Sequence, residues 1–98
     1  MAVTLTQPFT ITTIALSGVP NTALKVTPPE FTRYIWIQFR GAAGLLAYTG
    51  ADGAPIGSDT LQFSADEVVE LQQPGDKPFY VASPVADTVV AIVAVERN

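Results

Sequence analysis

The chain has 98 residues, no Cys, no His and a formal net charge of −4, and only 14% of its residues are charged. This length predicts one domain, residues 1–98, with one hydrophobic core. The missing residue types exclude disulfides, a zinc staple and catalysis by Cys or by a His-activated Ser, so we expect no enzyme, no catalytic residue and no cofactor. The five Lys and Arg residues are scattered along the chain, which disfavours nucleic acid as a partner.

The N-terminal segment, residues 1–16, alternates Thr with apolar residues and carries no charge. From Thr4 to Leu16 its pattern predicts one long bent strand or two short strands broken near Pro8. It lacks the basic region and the continuous apolar run of a signal peptide, and the longest apolar stretch, 85–95, is too short for a membrane-spanning helix. We expect no membrane contact, and we treat 1–16 as a candidate docking or swapped strand.

Short β-rich runs separated by Gly and Pro turns continue along the chain. We predict further strands at residues 23–27, 33–40, 45–49, 61–63, 68–71, 78–82 and 88–96. The Gly/Ala stretch 41–44 is interpreted as a hairpin turn, and 50–59 as a long surface loop. Ser64 and Glu67 match a helix capping box, but the β-branched residues after them favour a single turn that leads into a strand.

The strand at 33–40, RYIWIQFR, has the clearest alternation of the chain. Tyr34 and Trp36 share one face, which is either covered by a second layer or in contact with a partner. The opposite face is predicted to be core, and its residues are Ile35, Ile37 and Phe39.

The last predicted strand, 88–96, is apolar on both faces, which is typical of a central strand covered on both sides. Seven or eight strands at turn spacings of about 8–12 residues predict an all-β fold. We therefore expect a single-domain β-sandwich, jelly-roll-like, of antiparallel strands with almost no helix.

The residues suggest two kinds of small-ligand site. Asp52 and Asp59 in the long loop offer oxygen ligands for Ca²⁺, but the order of a calcium loop is missing, so we expect no metal site. Tyr34, Trp36 and Tyr48 could stack on a sugar, although packed aromatic residues in a small sandwich are more often core or subunit interface.

The low charge density predicts a covered surface. Soluble domains average about 25% charged residues, and 48% of this chain is apolar. We therefore expect a homo-oligomer, because a monomer would expose apolar area to water. The candidate partner interface consists of Val3, Leu5, Phe9, Ile11, Tyr34 and Trp36.

Several segments between residues 31 and 95 resemble small β-sandwich virion proteins of tailed bacteriophages. These segments are the Trp-bearing strand 34–38, the loop segments 48–53 and 56–57, Ala65-Asp66, and FYVAS at 79–83 before an Ala/Val-rich strand. The resemblance implies a capsid decoration, or cement, protein that is made in the host cytoplasm and binds outside the head at junctions of the major capsid protein, often as a trimer. The alternative is a phage tail or baseplate module that binds host-surface glycans.

Overall fold

The fold is that of a computed structural model that describes residues 9–29, 32–72 and 77–96, apart from the side chains of residues 9, 10 and 96. Its described residues form eight strands and no helix, and hence no helix that could cross a membrane. The strands are β1 (Phe9–Ala15), β2 (Leu24–Val26), β3 (Thr32–Arg40), β4 (Gly44–Ala47), β5 (Leu61–Phe63), β6 (Val68–Leu71), β7 (Phe79–Ala82) and β8 (Val89–Glu96).

The eight strands form two four-stranded sheets with the orders β1-β8-β3-β6 and β2-β7-β4-β5. Four antiparallel pairs are nested in the chain: β1 with β8, β2 with β7, β3 with β6 and β4 with β5. Such nesting is that of one long hairpin rolled into two sheets, the arrangement of a jelly roll. The predicted all-β sandwich is confirmed.

The core lies between the inner faces of the two sheets. Ile35, Ile37 and Phe39 of β3 are at most 1% exposed, as their alternation predicts. They belong to one cluster with Phe79 and Val81 of the opposite sheet, both of which are fully buried. Each such side chain contributes about 1.5–3 kcal/mol by leaving water, so these strands hold the sandwich together.

The predicted hairpin between the strands on either side of 41–44 is wrong. β3 is paired with β8 along one edge and with β6 along the other, so neither edge is left for β4. The chain instead crosses to the second sheet, where β4 pairs with β5 and β7. Gly41 starts this crossing with a φ of 74°, and its amide donates a 2.9 Å hydrogen bond to Asp66 Oδ1.

The turn before β6 is the one predicted from the capping-box pattern. The Ser64 amide donates to Glu67 Oε1 at 3.0 Å, and the Glu67 amide donates to the Ser64 carbonyl at 3.2 Å. No helix follows, because the next residues enter β6 directly. The capping contacts thus close an isolated turn.

β8 occupies a central position, between β1 and β3, but it is covered by a second sheet on one face only. Val90, Ile92 and Ala94 point into the core and are buried. On the other face Val95 is fully buried beside Tyr34, whereas Val89 and Val93 are half-buried, and no strand of the described residues packs over this face. Cover on both sides of β8 is therefore found at Val95 but not at Val89 and Val93.

Candidate partner interface

The surface with the most unusual chemistry is the side of the β1-β8-β3-β6 sheet that points away from the core, here called the outer face. Its geometry follows from the strand registers, since residues opposite each other in antiparallel strands point to the same side. One row runs across all four strands and contains Ile11, Val93, Trp36 and Glu70. The next row contains Thr13, Ala91, Gln38 and Val68.

Apolar side chains on the outer face are open to solvent at both of its edges. Ile11 on β1 is 63% exposed, and Val68 on β6 is 52% exposed. Between them lie the half-buried side chains of Val93 and Trp36. Alternation in a one-sided sheet normally puts polar residues on the solvated side, so this face departs from the usual pattern in its central strand, β8.

Two aromatic rings form the centre of the outer face. The rings of Tyr34 and Trp36 are tilted by 49° with centroids 5.5 Å apart, a separation typical of attractive aromatic pairs. The Trp36 indole Nε1 donates a 2.8 Å hydrogen bond to Glu70 Oε1. Trp36 is thus fixed on the outer face. Of the two positions expected for a packed aromatic residue, core or subunit interface, the core is excluded for Trp36.

Charge is nearly absent from the outer face. Among the residues that the registers place there, only Glu70 and Arg40 are charged, and they lie on different strands. Arg40 pairs with Val89 at the end of β3, whereas Glu70 lies on the edge strand β6. Asp66 lies at the border of this face, where Gln38 Nε2 donates to the Asp66 carbonyl, so the strand residues between Arg40 and Glu70 carry no charge.

The structure brings together three of the six residues predicted for the partner interface. Ile11, Tyr34 and Trp36 all lie on the outer face, Ile11 on β1 and the two aromatic residues on β3, with β8 between these strands. The backbone of Phe9 is in register with Val95 at the end of β1, and its side chain is not described. The remaining two predicted residues, Val3 and Leu5, lie outside the described residues.

Sequence reasoning missed Val68, Val89 and Val93 as members of this surface. The sequence contains a signal for the two residues on β8, because apolar residues occupy both faces of the strand 88–96. The pattern by itself favours cover by a second layer. Val68 gave no such signal, because only its pairing with Gln38 shows which face it occupies.

The described residues contain no group of three His, Cys, Asp or Glu side chains that could hold a metal ion. In the long loop, Asp52 Oδ1 instead accepts a 2.8 Å hydrogen bond from the Lys25 amide, which ties the loop to β2. Tyr48, proposed as a third stacking surface, follows β4 in the other sheet and is therefore not on the outer face.

Comparison of the chain with protein-family models, with curated proteins and with solved structures found no match. The functional proposal is therefore based on the chemistry of the outer face. What this face offers is a sheet surface of apolar and hydroxyl side chains with an aromatic centre.

Proposed function

We propose that the protein is a structural component of a tailed-phage virion that binds the exterior of the capsid at junctions of the major capsid protein. The observation that carries this proposal is the outer face, which is largely apolar and nearly uncharged, is open to solvent at Ile11 and Val68, and has no further sheet of the described chain over it. Apolar surface that a soluble protein leaves open to solvent often marks an interaction site. A virion decoration protein needs such a contact surface and needs no catalytic group.

Two further lines support the proposal. The segments that resemble small virion proteins include the strand that carries Tyr34 and Trp36, which lies at the centre of the outer face. The nested strand order is that of a jelly roll, an architecture that viral capsid domains and lectins share. Fold by itself assigns no function, so this second line is an analogy.

The alternative function, glycan binding by a tail or baseplate module, draws on the same aromatic centre. Trp36 and Tyr34 present half-buried rings beside the Glu70 carboxylate, and stacking rings next to a hydrogen-bond acceptor are what a sugar site uses. Both Glu70 oxygens already accept hydrogen bonds, from Trp36 Nε1 and from Gln72 Nε2. The carboxylate is thus held in the sheet surface, which favours the protein-docking proposal.

A matched pair of Val substitutions tests capsid docking through the outer face. Val68 on this face and Val85 in the turn between β7 and β8 are both 52% exposed, so Val68→Lys and Val85→Lys make the same change in charge and size at equal exposure. Purified chain is added to phage heads that lack it, and bound protein is measured by sedimentation and by cryo-electron microscopy. We expect the native chain and Val85→Lys to bind and Val68→Lys to lose binding.

Equal binding by both variants would show that the outer face is not the docking contact. Absence of the chain from purified virions, measured by mass spectrometry, would reject the virion assignment itself. Glycan-array binding that is lost in Trp36→Ala, without any binding to heads, would support the alternative function.

A further inference from the structure

β1 differs from the other three edge strands of the sandwich because nothing in it blocks the addition of a further strand. It has seven residues, Phe9–Ala15, without charge or Pro, and it pairs with β8 without a register shift. Of the other edges, β6 has four residues including Glu70, β2 has three including Lys25, and β5 has three. Short length and charge are the usual protection of sheet edges, and β1 has neither.

The hydrogen-bonding direction of each β1 residue follows from its ladder with β8. The Leu16 amide donates to the Thr88 carbonyl at 2.8 Å, immediately after the pair Ala15–Val89. In an antiparallel ladder this direction alternates along the strand, so residues 10, 12 and 14 bond to β8. The amides and carbonyls of residues 9, 11, 13 and 15 therefore point away from β8, to an edge that no other strand of the described residues covers.

We propose that two copies of this chain pair edge to edge along β1, antiparallel, about a two-fold axis at Thr12. In this register Ile11 of each copy lies opposite Thr13 of the other, and these outward-pointing residues exchange hydrogen bonds. All seven residues of the strand overlap. The two four-stranded sheets become one eight-stranded sheet, and the two outer faces become one continuous surface.

A second copy is the occupant that this edge fits best, because the strand is complementary to itself. An isologous contact requires one patch to match its own two-fold image. The two-fold axis places Thr12 of one copy opposite Thr12 of the other, and cross-strand Thr–Thr pairs are favourable. No residue of β1 is charged, so the two strands do not repel each other. The net charge of −4 comes from residues outside the strand, since no charged residue precedes Lys25.

This inference does not depend on capsid binding. A two-fold contact yields a dimer, whereas the resemblance to decoration proteins implies a trimer, so solution mass distinguishes them. Light scattering at micromolar concentrations should give twice the chain mass of 10.4 kDa. A mass of one chain or of three chains would overturn the proposal, whatever the outcome of the capsid experiments.

Thr13 is the residue at which the edge can be blocked without breaking the ladder to β8. Thr13→Pro removes an amide that points outward, and edge strands tolerate Pro at such positions. Thr13→Lys places a charge on the edge, and it is the variant to measure if Thr13→Pro does not fold. Its matched control is Ser58→Lys in the exposed loop. Each Thr13 variant should have the mass of one chain, and the Ser58 variant that of two.

A cross-link tests the register. Two Thr12 residues opposite each other form a non-hydrogen-bonded pair with Cα atoms about 4.5 Å apart, within the range that a disulfide bridges. Thr12→Cys should therefore form a disulfide-linked dimer under mild oxidation, and the chain has no other Cys. Thr27→Cys, also exposed, is the control and should stay monomeric on a denaturing gel. Equal cross-linking of the two variants, or a dimer mass in Thr13→Lys, would overturn the proposed contact.

Discussion

Trp36 and Glu70 face each other across the ladder between β3 and β6, and the indole Nε1 donates a 2.8 Å hydrogen bond to Glu70 Oε1. The other carboxylate oxygen accepts a 3.0 Å bond from Gln72 Nε2. This pair links the aromatic centre of the outer face to its edge strand. This hydrogen bond holds Trp36, which has the largest side chain in the protein, at the surface of the sheet.

Trp36→Ala should lower the free energy of unfolding by less than the ~3–5 kcal/mol typical of a fully buried Trp, because the side chain is half-buried. Trp36→Phe keeps an aromatic ring but loses the donor to Glu70, so it should cost about 0.5–1.5 kcal/mol. Urea denaturation followed by far-UV circular dichroism measures both. A loss in Trp36→Ala as large as that of a core Trp would mean that the indole is buried in solution, for example by a partner copy.

Gly44→Ala should be strongly destabilising. A Cβ at Gly44 would lie 2.0 Å from Cδ1 of Phe39, whose side chain is fully buried in the core. Overpacking of this kind costs typically ~1–3 kcal/mol and sometimes more. Gly57→Ala is the control, since nothing lies within 4 Å of its Cβ position. Similar melting temperatures for the two variants would contradict this packing.

Ser83→Ala tests the polar contact that joins the 83–88 turn to the crossing between the sheets. Ser83 is 3% exposed, and its Oγ donates to the Ala43 carbonyl at 2.7 Å and accepts from the Val85 amide at 3.1 Å. Removing it leaves these groups without this partner, which costs about 1–3 kcal/mol. Ser58→Ala in the exposed loop should change stability by less than about 0.5 kcal/mol. Equal stability of the two variants would show that Ser83 contributes nothing.

Asp66 variants should separate the side-chain acceptor from the backbone conformation. Asp66 has a φ of 63°, and its Oδ1 accepts the amide of Gly41. Asp66→Asn keeps an acceptor oxygen and a residue type that tolerates positive φ, so we expect a change within about 0.5 kcal/mol. Asp66→Ala loses both and should cost about 1–2 kcal/mol. Thermal unfolding measures both variants, and equal stability of the Asn and Ala variants would contradict this role of Asp66.

Local pattern was sufficient to predict the strands and the inward residues. Alternation placed Ile35, Ile37 and Phe39 together, and the structure buries all three. Side chains on a strand point to opposite sides with a period of two, so a one-dimensional sequence already reports which residues share a face. The turn at 64–67 was predictable for the same reason, because its hydrogen bonds join residues three apart in the chain.

Strand pairing was decided only by the tertiary structure. Sequence proximity suggested a hairpin across 41–44, but β3 pairs with β6 and β8, which lie far along the chain. Alternation shows which residues of 88–96 share a face, but whether another layer covers that face depends on the path of the whole chain. For the same reason, only the pairing registers place Ile11, Trp36 and Val68 on one surface: contacts between distant segments are set by which strand edges remain free when the sandwich closes.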